Sequence, residues 1–297
     1  MLKQIKRALF NAVIWVGISA NGSFADDNSL RIVASFSILG DMVKVIVGDF
    51  AEVNTIVGPD ADAHVYQPNI SDAREVALAD IIFVNGLGFE TWSETLIAES
   101  GTKASLHVAT KGINPLLVSG KIDPHAWNSL SNGVIYANNI ANVLKVALPE
   151  HADAIEQNRK NYVDQLLTLD TATRKALSDL PENRRVVVTA HDAFGYLANA
   201  YDLTFLAPVG IDTEAEPSAK DLAMLIKQIK TNGAAALFVE NITSPVLIEQ
   251  LSAETGLRIG GRLFSDALSV RGGPATSYLK MFEHNLNTLL SALQPTE

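Results

Sequence analysis

Cysteine is absent from this chain. Its absence excludes disulfides, thiolate metal centres and a lipid-modified cysteine at a mature N-terminus, so stability has to come from core burial. Basic residues are scarce: 23 Lys and Arg stand against 33 Asp and Glu, for a net charge of −10. Phosphate backbones demand a basic patch, so this balance argues against a nucleic-acid partner and mildly favours capture of cations. After the first two dozen residues no stretch is apolar for the ~20 residues a bilayer span needs. There is no short-period repeat, no low-complexity tract and no H-E-x-x-H spacing, the signature of a zinc-protease helix. What the chain does have is 47% hydrophobic residues over 297 positions, enough for about two domains with buried cores.

The first residues combine Lys3, Lys6 and Arg7, an apolar stretch from Ala8 to about Ala20, and Ser23-Phe24-Ala25 before Asp26-Asp27. A basic start, a greasy middle and small residues just ahead of a cut are the parts of a secretory signal peptide. Residues 1–25 are therefore expected to be removed, with a retained N-terminal anchor as the alternative. Cleavage takes away three positive charges and no acid. An acidic, soluble, exported protein without a membrane anchor is left, expected in the periplasm and as a monomer.

Arg31 to Ser35, Glu52 to Val57, Asp80 to Asn85 and Ser105 to Val108 read as strands, with helical patterns over Ile38 to Val47 and Ser71 to Ala79. A second series repeats the plan, with strands at Arg185 to Thr189, Leu203 to Ala207, Ala235 to Val239 and Arg258 to Phe264 and helices beginning near Pro217, Pro245 and Pro274. Strands alternating with helices predict parallel sheets with helices on both faces. Between the two series, about Glu150 to Leu180 has no internal glycine or proline and keeps Ile155, Tyr162, Leu166, Leu169 and Leu177 near helical spacing. One amphipathic helix fits, and some 30 residues make a rod of ~45 Å that can back both halves. The fold class is α/β, with lobes over 26–149 and 181–297 joined by a rigid backbone helix over 150–180.

Four polar residues follow apolar runs in this plan. His64 lies in Gly58-Pro59-Asp60-Ala61-Asp62-Ala63-His64-Val65-Tyr66-Gln67-Pro68, a loop leaving the strand that ends at Val57. His125 sits in Asp123-Pro124-His125-Ala126-Trp127-Asn128, just before a helical run, where proline and an aromatic restrict its backbone. His191 follows Val186-Val187-Val188-Thr189-Ala190, and Asp266 follows Leu263-Phe264-Ser265. Ligands of parallel sheets gather at the carboxyl ends of strands. Singly, a loop histidine is commonly just solvated and an aspartate after a strand is commonly a helix cap; four such positions, two in each lobe at matching strand ends, are harder to dismiss. Three imidazoles and a carboxylate form a shell suited to Zn2+ or, less tightly, Mn2+. His107, His151 and His284 lack this setting.

These four motifs, in this order and over essentially the whole mature chain, resemble the ligand motifs of the cluster A-I solute-binding proteins of bacterial zinc and manganese ABC importers. The resemblance implies two Rossmann-like lobes with four-stranded sheets joined by one rigid helix, and a metal held in the cleft between them. It also implies delivery of the ion to a cognate permease driven by an ATPase. Zinc-dedicated relatives often carry a histidine-rich acidic loop before the second ligand, and the stretch from Ala109 to Asp123 has no histidine. Manganese-dedicated relatives often have glutamate at the third position, where this chain has His191. Zn2+ and Mn2+ both remain candidates, with Zn2+ bound more tightly by a nitrogen-rich site.

Glu240, at the end of the Ala235 to Val239 strand, is similar to a cleft-lining acid of that family and is a candidate to orient a ligand histidine. Asp192 reads as an acid in the first turn of a following helix, and Asp212, Glu214 and Glu216 as a solvated loop. The rival function is a secreted zinc-dependent hydrolase using the same four residues. Catalytic zinc needs an open position and a nearby base, and four protein ligands already close a tetrahedron, so no enzyme activity is expected. The long helix predicts capture with little lobe rotation.

Overall fold

Continuous apolar runs make the central strands. The computed structural model describes residues 30–294, and the expected signal peptide over 1–25 lies outside them. β1 (Arg31–Phe36) and β3 (Ile81–Val84) are buried almost throughout, as strands covered on both faces must be. With β2 (Glu52–Val57) and β4 (Ser105–Val108) they form one sheet of order β2-β1-β3-β4, parallel throughout. Ile32 stands beside Val53 on one side and Ile81 on the other. Edge strand β4 is largely exposed, which is why its sequence signal is the weakest of the four. α1 (Ser37–Val47), α2 (Ile70–Leu78) and α3 (Ser93–Ser100) complete this half. α2 starts on a capping box in which Asn69 and Asp72 satisfy each other's backbone N–H groups.

The second sheet has order β10-β9-β7-β8, again parallel, from β7 (Val186–Val188), β8 (Thr204–Leu206), β9 (Ala236–Glu240) and β10 (Ile259–Leu263). Its helices are α6 (Gly195–Tyr201), α7 (Ala219–Asn232), α8 (Val246–Thr255) and α9 (Tyr278–Leu293). Between the sheets run α4 (Leu130–Ala147) and the long α5 (Ala152–Ser178). α5 has 27 residues, against some 30 expected, because Pro149–His151 forms a separate 3-10 turn ahead of it. Its length is ~40 Å. A small hairpin of β5 (Leu117–Val118) and β6 (Lys121–Ile122), which the strand pattern does not reveal, precedes α4.

The apolar interior does not divide at the cleft. Ile32, Phe83 and Trp127 belong to the same buried cluster as Leu166 of α5, Phe238 and Phe264 near the second sheet, and Phe282 of α9. A smaller satellite, including Val188, Leu225, Leu237 and Ile248, lies under α7 and α8. Asp41 of α1 accepts from the backbone N of Tyr278 (2.8 Å), so the first half also supplies a carboxylate to the N-terminus of α9. A shared core resists hinge rotation more than two separate cores would. No described helix is long and apolar enough to cross a membrane.

Candidate metal centre

The four residues reach the cleft by different local routes. His64 ends the loop leaving β2, and its backbone N donates to Asp62 Oδ1 (2.8 Å). His191 stands three residues past β7, and Asp266 three past β10. His125 departs from the expectation of matching strand ends: it follows the β5–β6 hairpin rather than β4, and opens a 3-10 turn, Ala126–Asn128, before α4. A second departure concerns Asp192. α6 begins only at Gly195 and has no acid in its first turn. Asp192 lies upstream, its N–H donating to Gly210 O (3.1 Å), and burial, reinforced by Asp123, raises its carboxyl above the usual value.

All four side chains converge. His64 Nε2 is 3.1 Å from His125 Nε2 and 3.3 Å from Asp266 Oδ2; His191 Nε2 is 3.1 Å from Asp266 Oδ2; His125 Nε2 is 3.7 Å from Asp266 Oδ1. One ligand atom from each residue lies within 4.8 Å of all the others. A tetrahedron around an ion with bonds of ~2.0–2.1 Å has edges of about 3.3–3.4 Å, and the observed separations straddle that value. His125, His191 and Asp266 are fully buried and His64 is 6% exposed. Lone-pair atoms so close and so far from water repel one another unless positive charge lies among them, as a proton or a metal cation. Asp266 Oδ1 has no hydrogen-bond partner among the described residues, an acceptor left for such a cation.

Two of the imidazoles are oriented by carboxylates on their far nitrogens. Glu240 Oε2 is 2.6 Å from His191 Nδ1, while Oε1 accepts from the backbone N of Ala190 (2.8 Å) and His191 (2.9 Å). Asp123 Oδ1 accepts from the backbone N of His125 (3.0 Å) and lies 2.8 Å from its Nδ1. At His125 this places the proton on Nδ1 and turns the Nε2 lone pair toward the cleft, while Glu240 stands in ion-pair contact with the far nitrogen of His191. Asp123 was not singled out from sequence, although its place two residues before a histidine across a proline was a usable signal. Gly195 makes room for it: a Cβ there would lie 2.5 Å from Asp123 Oδ2. Asn85 Nδ2 holds Pro124 O (2.9 Å) and is itself held by Tyr136, while buried Glu90 accepts from Ser35 and from the backbone N of Asn85 and Gly86.

Burial disfavours the imidazolium of His191, but the charges of Glu240 and Asp266 outweigh it and raise that ring well above the ordinary histidine value. Burial likewise pushes the Asp266 carboxyl upward, and His191 and His125 outweigh it and hold the group well below the carboxylate range. Each group thus favours the charged form of the other.

The remaining histidines lie elsewhere. His107 meets Ser105 Oγ on the edge strand, His151 stacks on Phe50, and His284 contacts Arg262 O. In the acidic loop Glu214 and Glu216 are exposed, and Asp212 pairs with Lys121 across the cleft mouth at 3.5 Å.

Known proteins carry the same architecture. The chain is 32% identical over 304 residues to the iron ABC transporter substrate-binding lipoprotein MtsA of Streptococcus pyogenes, covering 98% of both chains. It is 30% identical to the manganese-binding lipoprotein MntA of Bacillus subtilis, over 98% of this chain and 100% of that one. Among solved structures, the periplasmic zinc-binding protein TroA from Treponema pallidum superposes with a TM-score of 0.86 at 29% identity, covering 90% of this chain and 100% of that one. The Mn-bound periplasmic metal-binding protein from Candidatus Liberibacter asiaticus gives 0.82 at 28%, with the same coverage. Residues 32–292 match the family described as zinc-uptake complex component A, periplasmic, and the chain belongs to that family.

Proposed function

We propose that this protein captures one divalent transition-metal ion, Zn2+ or Mn2+, between its two sheets and delivers it to an ABC importer made of a permease and an ATPase. His64, His125, His191 and Asp266 are the ligands, and Asp123 and Glu240 orient two of them. The observation that carries the reading is the convergence of four buried residues whose ligand atoms all lie within 4.8 Å of one another, with far-side carboxylates on His125 and His191. A shell closed by four protein ligands leaves no position for a reactive water, so the protein holds its ion as cargo rather than as a catalyst.

Three nitrogens and one oxygen bind Zn2+ more strongly than Mn2+ in dilute solution, whichever ion the cell supplies. Relatives named for iron, manganese and zinc show that this family serves more than one metal. The protein works outside the cytoplasm, after loss of residues 1–25, as a periplasmic monomer. Unlike relatives named as lipoproteins, this chain has no cysteine and so no thiol to carry a lipid.

Calorimetric titration with Zn2+ and Mn2+ tests the reading. One ion per chain is expected, with zinc tighter, and D266A or H125A should weaken binding at least 100-fold. Full binding by either variant removes that residue from the shell, and wild-type protein that takes up neither ion overturns the function.

A further inference from the structure

The stretch between β2 and His64 is fastened to the opposite half of the molecule more than to its own. Asp60, whose φ of 53° lies in the left-handed region, donates its N–H to Leu268 O (2.9 Å) and accepts from Asn241 Nδ2 (3.0 Å) and Val270 N (3.2 Å). Its partners follow β9 and β10 in the second sheet. Two residues on, Asp62 Oδ2 accepts from Thr213 Oγ1 (2.6 Å), in the loop between β8 and α7, while Asp62 Oδ1 holds the backbone N of His64. On the near side, Ala63 O accepts from Trp92 Nε1 (2.8 Å), a pivot beside the ligand. Through Asp60 and Asp62, the six residues 59–64 of the first half are thus tied across the cleft to three loops of the second.

His64 differs from the other ligands in ways that fit such a strap. It is 6% exposed, where the other three are fully buried. Among the described residues, Asp266 is the one carboxylate in ion-pair reach of its ring, through Nε2, so no far-side acid fixes it as Asp123 and Glu240 fix His125 and His191. One cavity borders the Asp62–Thr213 bond and a second borders His64. One of about 630 Å3 is lined by Asp62, Thr213 and His191; the other, of about 410 Å3, by His64, Phe89, Asp212 and Glu214.

We propose that residues 59–64 form a release strap: the Thr213–Asp62 and Asp60 hydrogen bonds keep His64 on the ion, and their rupture, with the other three ligands in place, is the step that lets the ion go. Asp60, Asp62 and Thr213 are positioning residues in this scheme, acting through His64. The proposal rests on the metal reading above.

Stopped-flow release of Zn2+ from the loaded full chain into excess EDTA tests it. Thr213→Val removes the donor and keeps the shape, and is expected to speed release about tenfold. Thr213→Ser restores the hydroxyl and should return the rate to within twofold of wild type. Asp60→Ala, which cuts two bonds on the other side of the strap, should also accelerate release severalfold. Co2+-substituted T213V should keep the visible absorption of the wild type, because the ligands are untouched. Release by T213V at the wild-type rate overturns the strap, as does T213S releasing as fast as T213V or a changed Co2+ spectrum. Wild type that binds no zinc overturns the metal reading and the strap together, so the two failures are distinguishable.

Discussion

His191 and His64 turn the same ring nitrogen toward the same carboxylate oxygen, at 3.1 and 3.3 Å, yet the chain holds them by opposite means. His191 follows a buried strand, and Glu240 grips both its ring and its backbone from the neighbouring strand. Such a contact cannot move without moving the sheet. His64 hangs on a crossing loop held by hydrogen bonds whose partners are half-exposed. One half of the site is built for affinity and the other for exchange. With a core continuous behind the cleft, a loop of six residues is the cheaper thing to move than a lobe.

The comparison breaks first at Glu240. E240A leaves two backbone N–H groups and a ring nitrogen without their acceptor, and loss of a carboxylate behind a metal-bound histidine lowers affinity by roughly 10–100-fold. The upper end is expected here, because one acid holds two backbone N–H groups and faces the ring as well. D123N should cost about tenfold, since an amide oxygen can still accept from both His125 donors but brings no negative charge behind the ring. Competition titrations against a coloured chelator measure both. Losses below threefold in both variants would mean that carboxylate support does not distinguish these histidines from His64.

Protonation sharpens the same contrast. His191 in the metal-free protein is raised well above the ordinary imidazole value by Glu240 and Asp266, so it keeps a proton to higher pH than a free imidazole does, and a metal needs that nitrogen bare. The sign follows: below the raised value each bound ion expels this proton, and the association constant climbs with pH by up to about tenfold per unit from this group alone. Calorimetry at pH 7 in buffers of different ionisation enthalpy counts the protons. Glu240→Gln removes the largest charge that raises the ring, so fewer protons should be released; an unchanged count would place the proton elsewhere.

Much of this arrangement was legible in the sequence, for physical reasons. Strand β3 is apolar end to end, and β1 and β9 are apolar through their middles, because both faces are covered, and a run such as Ile81-Ile82-Phe83-Val84 reads plainly. α5 was visible because glycine and proline are missing from it. The four candidate ligands came from four motifs and their order; their convergence is a tertiary fact that spacing alone does not contain. The hairpin escaped because two-residue strands carry too little alternation to stand out. Asp192 was assigned to a helix that starts later than its neighbours suggest. The Asp62–Thr213 bond joins positions 151 apart, and no local pattern marks it.

The smallest expected effect separates the strap from the other link across the mouth. Lys121 and Asp212 also join the two halves, but at 3.5 Å and with side chains 71% and 41% exposed. Water competes for both charges, and exposed pairs of this kind contribute about 0–1 kcal/mol, less as salt rises. The Asp62–Thr213 bond is shorter, and the carboxylate that receives it also grips the backbone of His64. K121A should therefore change zinc release by less than twofold, and the difference should vanish at about 0.5 M salt, where screening acts within ~5 Å. If K121A instead released zinc as fast as T213V, the mouth rather than the strap would control exit, and Asp212 would take over the role assigned to Asp62.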